Sequence, residues 1–364
     1  MKYLHIVGNE FKFVLPIITY LNTEFEAREH LFLLLNATKK QSAVFKRNKN
    51  VVILWPYDSE FKIIRLFLLF IKVPISIVLL LLYTARAKKI FVHGLFDIKV
   101  ILFYYLIRNE LLKSTWIIWG GGDLDDEENY LKKGVKSKVE YYVKGNFNEY
   151  MTYIKEDYLV AVKLYQAKGE FRECLIYKSN VFNPYLINSR NVSSTTRIMV
   201  GNSADSENNH LEILEKLERY KEHDIHIFCV LSYGEKPWTP GYINKIINFG
   251  TEKFGSKFTA ILEYIKYDDY LEFLNSIDIA FFDHKYQQAM GNTISLLGFG
   301  KKVYLRNKAP HKEFLSRLGV HTFSMDEISL ERISESISTS NTRIVTEHFS
   351  DQKLRNQWQD VLEK

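Results

Sequence analysis

The sequence predicts an α/β protein built from two doubly wound, Rossmann-like halves, and three observations carry that expectation. Strand-like apolar runs take turns with helix-like segments, which argues for parallel sheets covered on both faces. The alternation stops at a polar stretch, Ile187 to Thr196 (INSRNVSSTT), and then restarts. At 364 residues the chain exceeds the usual size of one domain. Domains are therefore expected at 1–186 and 197–345, joined by a linker at 187–196, with 346–364 forming a helix that packs back across the linker. Two such sheets in tandem are expected to face each other across a cleft, at the carboxyl ends of their strands, where ligands of doubly wound sheets bind.

In the first half, strands are read at Lys2–Val7, His30–Leu35, Val51–Trp55, Lys89–His93, Thr115–Trp119, Tyr150–Ile154 and Cys174–Tyr177. Helical character fills Ile98–Leu112, Asn129–Val143 and Tyr158–Lys168. The N-terminus, MKYLHIVGNE, lacks the long apolar core and cleavage site of a signal peptide and reads as the first strand. Phe61 to Tyr83 is the most apolar region. Its longest uncharged run, Val73 to Ala85, contains Pro74 and falls short of the ~20 residues of a membrane span. Arg65, Lys72, Arg86, Lys88 and Lys89 punctuate it with positive charge, leaving three readings: a helix packed on a sheet, a surface that meets a membrane, or a span.

In the second half, strands are read at Arg197–Val200, Ile225–Leu231, Phe258–Glu263, Ile277–Phe282 and Lys302–Leu305. The helices between them are Asn208–Tyr220, Gly241–Phe254, Asp268–Ser276 and Asn292–Phe299, and Ser350–Lys364 ends the chain as a further helix. Hydrophobic residues make up 46% and charged residues 25% of the sequence, enough to fill two cores. A net charge of +6 suits an anionic ligand or an anionic membrane surface. No arginine-rich arm, zinc-finger spacing or RNP-type aromatic motif occurs, so nucleic acid is not an expected partner. Cys174 and Cys229 sit in separate apolar runs and are expected to be buried thiols of a reducing cytosol.

Chemistry gathers where strands end. In RIMVGNSADSENNHLEIL a strand runs into Gly201-Asn202-Ser203 and then a helix capped by Asp205 or Ser206. Such a turn aims free backbone N–H groups and a helix dipole at one spot, which attracts phosphate, while Asn202 and Ser203 add side-chain donors. The plain alternative is an ordinary capped strand–helix connection. In DHKYQQAMGNTISLLGFGKKVYLR, Gln287 and Gln288 precede a second small-residue turn, Gly291-Asn292-Thr293, which would aim a second anion-facing helix end at the same place. Each helix end offers about 0.3–1 kcal/mol towards a diphosphate. Lys285 and Arg306 are positioned to add charge, and Tyr233 with Gly234 to flank a nucleotide base.

On the other half, His93 closes a strand before Gly94, where a general base or donor could work. The run WIIWGGGDLDD places Gly120, Gly121 and Gly122 after a strand, with the Asp123 carboxylate next, a candidate base for an acceptor hydroxyl. Asp123 and Asp125 also spell D-x-D, a pattern with which one class of sugar-transferring enzymes holds a divalent metal. A solvated helix start explains Asp125 to Glu128 better, and no metal or other cofactor is expected.

At these stretches the sequence resembles a known family, the bacterial TDP-N-acetylfucosamine:lipid II N-acetylfucosaminyltransferases (4-alpha-L-fucosyltransferases, glycosyltransferase family 56). The likeness is carried by His5 and Gly8; His93-Gly94 with Phe96; Trp116, Trp119-Gly120 and Asp123-Leu124. It continues through Val200-Gly201-Asn202-Ser203, Asp205, Asn208, His210, Asp269-Tyr270-Leu271 and Asp278. Gln287-Gln288, Gly291, Gly300, Val303, Leu305 and, more weakly, Trp358 complete it. The chain departs from the family pattern at Ile117, where the pattern has histidine, at Ala204, where it has glycine, and in one extra residue between Trp119 and Asp123.

The resemblance implies a GT-B-like architecture with an acceptor-binding first half and a nucleotide-sugar-binding second half. It implies transfer of a deoxyamino sugar from a TDP-sugar to a polyprenyl-diphosphate-linked saccharide, at the cytoplasmic face of the inner membrane, by a peripheral enzyme. Asp123 and His93 would then be catalytic, with His5, Gly8, Gly94, Trp119, Gly120 and Gly121 on the acceptor side. Gly201, Asn202, Ser203, Asp205, Tyr233, Gly234, Gln287, Gln288, Gly291, Asn292 and Thr293 would bind the donor. Two rivals stand beside it: another nucleotide-sugar-modifying enzyme, which would show an early G-x-G-x-x-G where only Gly8 occurs, and a non-catalytic membrane-surface subunit of a polysaccharide assembly complex.

Overall fold

A computed structural model of the chain describes residues 1–8, 11–35, 37–45, 47–54, 62–120, 123–124, 135–184 and 194–363. Gly121, the acidic run after Leu124, the start of the helix expected from Asn129, and most of the expected linker at 187–196 lie outside the described residues. The chain divides into two compact units, Met1–Lys178 with Leu354–Lys364, and Ser179–Lys353.

Among the described residues, unit 1 holds a seven-stranded parallel sheet. Its strands are β1 (Tyr3–Val7), β2 (His30–Leu35), β3 (Val51–Leu54), β4 (Lys89–His93), β5 (Ser114–Ile117), β6 (Glu149–Thr152) and β7 (Glu170–Glu173). They lie in the order β3-β2-β1-β4-β5-β6-β7. The chain winds outward from β1 in one direction and from β4 in the other, so a crevice opens at their carboxyl ends. The helices are α1 (Phe11–Glu24), α2 (Lys39–Phe45), α3 (Lys62–Arg86), α4 (Ile98–Leu106), α5 (Val135–Gly145) and α6 (Lys155–Tyr165). Leu4, Ile6, Leu33, Val92 and Trp116 point from one sheet face into a core shared with Leu80, Ile101, Tyr104, Val143 and Ala161 of the helices. Strand residues alternate in facing direction. Tyr3, His5 and Val7 therefore line the opposite face.

The helix α3 settles the apolar stretch in an unexpected way. Its inward stripe at four-residue spacing is Ser76, Leu80 and Thr84, all buried, whereas Ile75, Val78 and Leu82 are 54%, 53% and 46% exposed. Leu79, Leu81 and Tyr83 pack partly against the core, and Ile75, Val78 and Leu82 are left outside it. No helix among the described residues is long and apolar enough to cross a membrane.

One expected strand is corrected. Cys174–Tyr177 is not a strand, and the polar run just before it, Glu170–Glu173, forms the edge strand β7. Ile176 has φ of 68°, and Tyr177 donates its N–H to the Leu175 carbonyl at 2.7 Å, so the chain turns. The apolar side chains of this run serve burial beside the last helix, α13 as labelled below, whose Trp358 Nε1 donates to the Ile176 carbonyl at 3.0 Å.

Among its described residues, unit 2 holds β8 (Thr196–Val200), β9 (Ile225–Val230), β10 (Phe258–Ile261), β11 (Ile279–Phe282), β12 (Lys302–Leu305) and β13 (Phe323–Ser324) in the order β10-β9-β8-β11-β12-β13. The two-residue β13 was not expected from the sequence. The winding reverses here between β8 and β11. Its helices are α7 (His210–Leu217), α8 (Tyr242–Phe254), α9 (Tyr267–Ser276), α10 (Met290–Gly298), α11 (Pro310–Arg317) and α12 (Glu335–His348). The last helix, α13 (Asp351–Glu363), lies mostly in unit 1, where Trp358 is fully buried. Cys174 and Cys229 are buried free thiols.

Candidate functional site

The unit 1 site lies at the carboxyl ends of β1 and β4. A cavity of about 440 Å³ there is lined by Gly8, Leu35, His93, Gly94, Phe96, Asp97 and Trp119, among others. Gly94 turns the chain at φ +70°, and its N–H bonds the Ile117 carbonyl at 3.0 Å, holding the β4 exit against β5. A side chain at Gly94 would strike the Phe96 ring. Trp119 packs edge-on to Phe13, Phe96 and Tyr177 at ring distances of 5.2, 5.7 and 5.6 Å, forming an aromatic wall.

His93 and His5, both expected here, are in direct contact. His5 Nδ1 lies 3.1 Å from His93 Nε2, and His93 Nδ1 lies 2.9 Å from the Tyr177 hydroxyl. Burial lowers the His93 pKa to about 3 and pushes that of His5 well below the ordinary value, so both rings are neutral near pH 7.

Asp123 is buried, and its carboxylate is fully engaged. Oδ1 accepts from Leu95 N at 2.7 Å, and Oδ2 accepts from Trp116 Nε1 at 2.8 Å and Trp119 N at 3.3 Å. Burial raises its pKa, against the nearby Lys144 charge and these hydrogen bonds. Asp123 thus ties the loop after β4 to the loop after β5, and Gly120 makes the tie possible by turning at φ +81°. Asp123 shapes the cavity from behind the wall.

In unit 2 the two glycine-bearing bends leave neighbouring parallel strands, with Val200 opposite Phe281. The first differs from its expected form. Rather than presenting free N–H groups, it spends them: Gly201 N donates to Phe281 O at 3.0 Å, Asn202 N to Asn208 Oδ1 at 2.9 Å, and Ala204 N to Tyr233 O at 2.6 Å. Asn208 is the organiser, since its Oδ1 also accepts from His284 Nε2 at 2.8 Å. That contact fixes the His284 tautomer, because an amide oxygen only accepts. A side chain at Gly201, where φ is +67°, would meet the His210 ring and Asn208 Oδ1.

Asn202 Oδ1 and Thr293 Oγ1, both on buried residues, have no hydrogen-bond partner among the described residues. Asn202 Nδ2 donates to the Tyr233 hydroxyl at 3.3 Å, and Gly234, with φ +97°, presses on Ser203 so closely that a Cβ would lie 3.1 Å from it. Asp205 caps the short turn that follows by accepting from Glu207 N at 3.2 Å and pairs with Lys236 at 3.2 Å.

The second bend opens α10. The first-turn N–H groups of a helix have no partner within it, and here they belong to Met290, Gly291 and Asn292. Gly291 is required by the close approach of the Ser179 carbonyl, 2.7 Å from where a Cβ would sit. Asn292 Nδ2 donates to the Tyr270 hydroxyl at 3.0 Å. Burial raises the Tyr270 pKa above the ordinary phenol value, and Tyr233 adds to that shift. Gln287 and Gln288 lie half-buried in the loop before α10. Arg306 is bound in a two-pronged pair to Asp283 at 2.9 Å, so its charge is already matched.

Sequence reasoning missed Tyr177 and His30 in unit 1 and the organising roles of Asn208, Tyr270 and His284 in unit 2. Asn208 and Tyr270 had a signal in the family pattern. Nothing local marked the other three.

A family model described as 4-alpha-L-fucosyltransferase, glycosyl transferase group 56, matches residues 73–364. Among solved structures, Anabaena Alr3699/HepE in complex with UDP and glucose is similar at a TM-score of 0.70 and 10% identity, covering 100% of this chain and 99% of that one. The alpha,alpha-trehalose 6-phosphate synthase of Burkholderia multivorans is similar at 0.68 and 8%, covering 100% and 98%. The N-terminal domain of Candida albicans trehalose-6-phosphate phosphatase is similar at 0.67 and 10%, covering 100% and 97%. These likenesses establish the GT-B-like α/β fold.

Proposed function

The chain belongs to the 4-alpha-L-fucosyltransferase family, glycosyl transferase group 56, and is a glycosyltransferase; from that premise we propose that it moves a deoxyamino sugar from a TDP-sugar to a polyprenyl-diphosphate-linked saccharide. Unit 2 takes the donor and unit 1 the acceptor. The observation that carries this reading is that the Gly201 bend leaves β8 beside β11, the strand that leads into the α10 N-terminus, where the Thr293 hydroxyl has no hydrogen-bond partner among the described residues. The departing diphosphate rests on the α10 N-terminus at Gly291–Thr293, with Asn202 and Ser203 opposite. Oriented N–H and side-chain dipoles there stabilise the charge that develops on the leaving group. Tyr233 and Gly234 flank the base. The similar Anabaena protein is described in complex with UDP and glucose, which fits a nucleotide-sugar partner here.

On the acceptor side, His93 and the Trp119 wall receive the saccharide, and Asp123 holds that wall in place. The exposed apolar row of α3, flanked by Arg86 and Lys88, meets the cytoplasmic face of the inner membrane, where a lipid-linked acceptor resides. Thermal-shift measurement against TDP, UDP and GDP and their sugars, with and without EDTA, tests the donor class. A TDP-selective shift indifferent to EDTA is expected. Manganese dependence, or no response to any nucleotide sugar, overturns the reading.

A further inference from the structure

Three histidines on three adjacent strands of unit 1 form one continuous row. His30 Nδ1 lies 3.0 Å from His5 Nε2, His5 Nδ1 lies 3.1 Å from His93 Nε2, and His93 Nδ1 lies 2.9 Å from the Tyr177 hydroxyl. Strand register produces the row. His30 stands opposite Tyr3 and His93 opposite Val7, so each step from β2 to β1 to β4 moves two residues along the strand. Diagonal neighbours of this kind share a face and lie within reach of ring side chains. His5 is clamped between the Phe32 and Phe91 rings, at 4.5 and 5.0 Å, which fixes its plane.

All three imidazoles are buried. A neutral imidazole offers one donor and one acceptor, so the row has two consistent hydrogen arrangements, one the reverse of the other. Both ring nitrogens of His5 and of His93 are committed within it. His93 therefore cannot take a substrate proton directly without giving up a bond. The Tyr177 hydroxyl can, since it both donates and accepts, and it sits against His93 and Trp119, two residues of the cavity wall.

We propose that Tyr177, His93, His5 and His30 form a proton wire that drains the acceptor hydroxyl during glycosyl transfer, with Tyr177 as its entry. This rests on the reading of unit 1 as the acceptor side. As the acceptor oxygen bonds the sugar carbon, the bond from that carbon to the diphosphate breaks, and the diphosphate leaves with the electron pair. The hydroxyl proton passes to the Tyr177 oxygen, whose own proton moves to His93 Nδ1. The Nε2 proton of His93 moves to His5 Nδ1, and that of His5 Nε2 to His30 Nδ1. The row ends reversed, with His30 an imidazolium; burial lowers the His30 pKa to about 4, and the neighbouring Glu29 carboxylate opposes that shift.

The test is the single-turnover transfer rate of the full chain, wild type against Tyr177→Phe and His5→Phe, in H2O, D2O and mixtures. Wild type is expected to show a solvent isotope effect with a curved dependence on deuterium fraction, because several protons move. Tyr177→Phe is expected to lose roughly 100-fold in rate, the scale of an acid–base contribution, while its nucleotide-induced thermal shift is unchanged. His5→Phe fits the aromatic clamp and is expected to flatten the isotope dependence, which a purely structural histidine would not do. Wild-type rates and curvature in both variants overturn the wire while leaving transfer intact. Absence of transfer by the wild type with any lipid-linked acceptor overturns instead the parent reading. Should His5→Phe fail to fold, Tyr177→Phe decides alone.

Discussion

Gly201 donates its N–H to the Phe281 carbonyl at 3.0 Å, and that bond holds the first bend of unit 2 against the end of β11. The Asn209 side chain reinforces it by donating to the Asp283 carbonyl at 2.8 Å. Both links depend on a backbone that only glycine adopts without strain at residue 201.

Gly201→Ala is expected to destabilise the protein. A non-glycine residue at φ +67° costs about 1–2 kcal/mol, and the added methyl meets His210 and Asn208, adding to it. Urea unfolding measures the loss; a variant as stable as wild type would show that the bend is not so tightly built.

Thr293→Val separates folding from binding. The Thr293 hydroxyl is buried without a partner among the described residues, so an isosteric methyl should leave stability unchanged or raise it. If the hydroxyl instead serves the donor, affinity for the nucleotide sugar falls by about 1 kcal/mol, roughly fivefold. Calorimetry alongside unfolding reads both, and unaltered affinity removes Thr293 from the donor site.

Asp123→Asn is expected to act on structure first. An amide nitrogen would face the N–H groups of Trp116 and Trp119, leaving buried donors unmatched at about 1–3 kcal/mol. Stability and turnover should fall together. Lost turnover at full stability would point to direct chemistry by the carboxylate.

Asp157 makes stability pH-dependent. It is buried near the start of α6, and burial, then Glu156 and Asp123, raise its pKa from the ordinary carboxylate range to about 8. The folded state therefore holds a proton that the unfolded state has lost, and this contribution is full below about pH 4 and declines as pH rises towards 8. Asp157→Asn is expected to stabilise the protein most at pH 8 and above, the gain shrinking as pH falls. An equal effect at pH 5 and pH 8.5 would contradict that assignment.

Val78→Glu and Leu82→Glu lie on the exposed row of α3. Neither should alter stability by more than about 0.5 kcal/mol, yet both should weaken co-sedimentation with anionic vesicles. Undiminished binding would place the membrane contact elsewhere.

Strand ends were legible in the sequence because an apolar run that meets glycine is a local signal. Lys302–Leu305 lies where the pattern put it and the bend at Gly201 follows its strand as expected, whereas Gly291, Asn292 and Thr293, expected as a turn, are already the first turn of α10, which starts at Met290. The same signal misled at Cys174–Tyr177, where apolarity reflects burial beside Trp358 rather than a place in a ladder. Hydrophobic content also could not say which side of α3 turns inward, since Ser76 and Thr84 are buried while Ile75 and Val78 are exposed.

Taken alone, the order of residues determined the α/β class, the two windings and the family, all of which rest on periodicity and short motifs read along the chain. Only the tertiary structure decided what those residues touch. His30, His5 and His93 are far apart in the chain and become one row through a two-residue stagger across parallel strands. Asp123 became a clamp because three N–H groups, from the loops after β4 and β5 and from Trp116 of β5 itself, converge on it. The reason is physical: backbone preference acts between neighbours in sequence, whereas register and hydrogen-bond partnership are set by contacts that exist only after the sheet has formed.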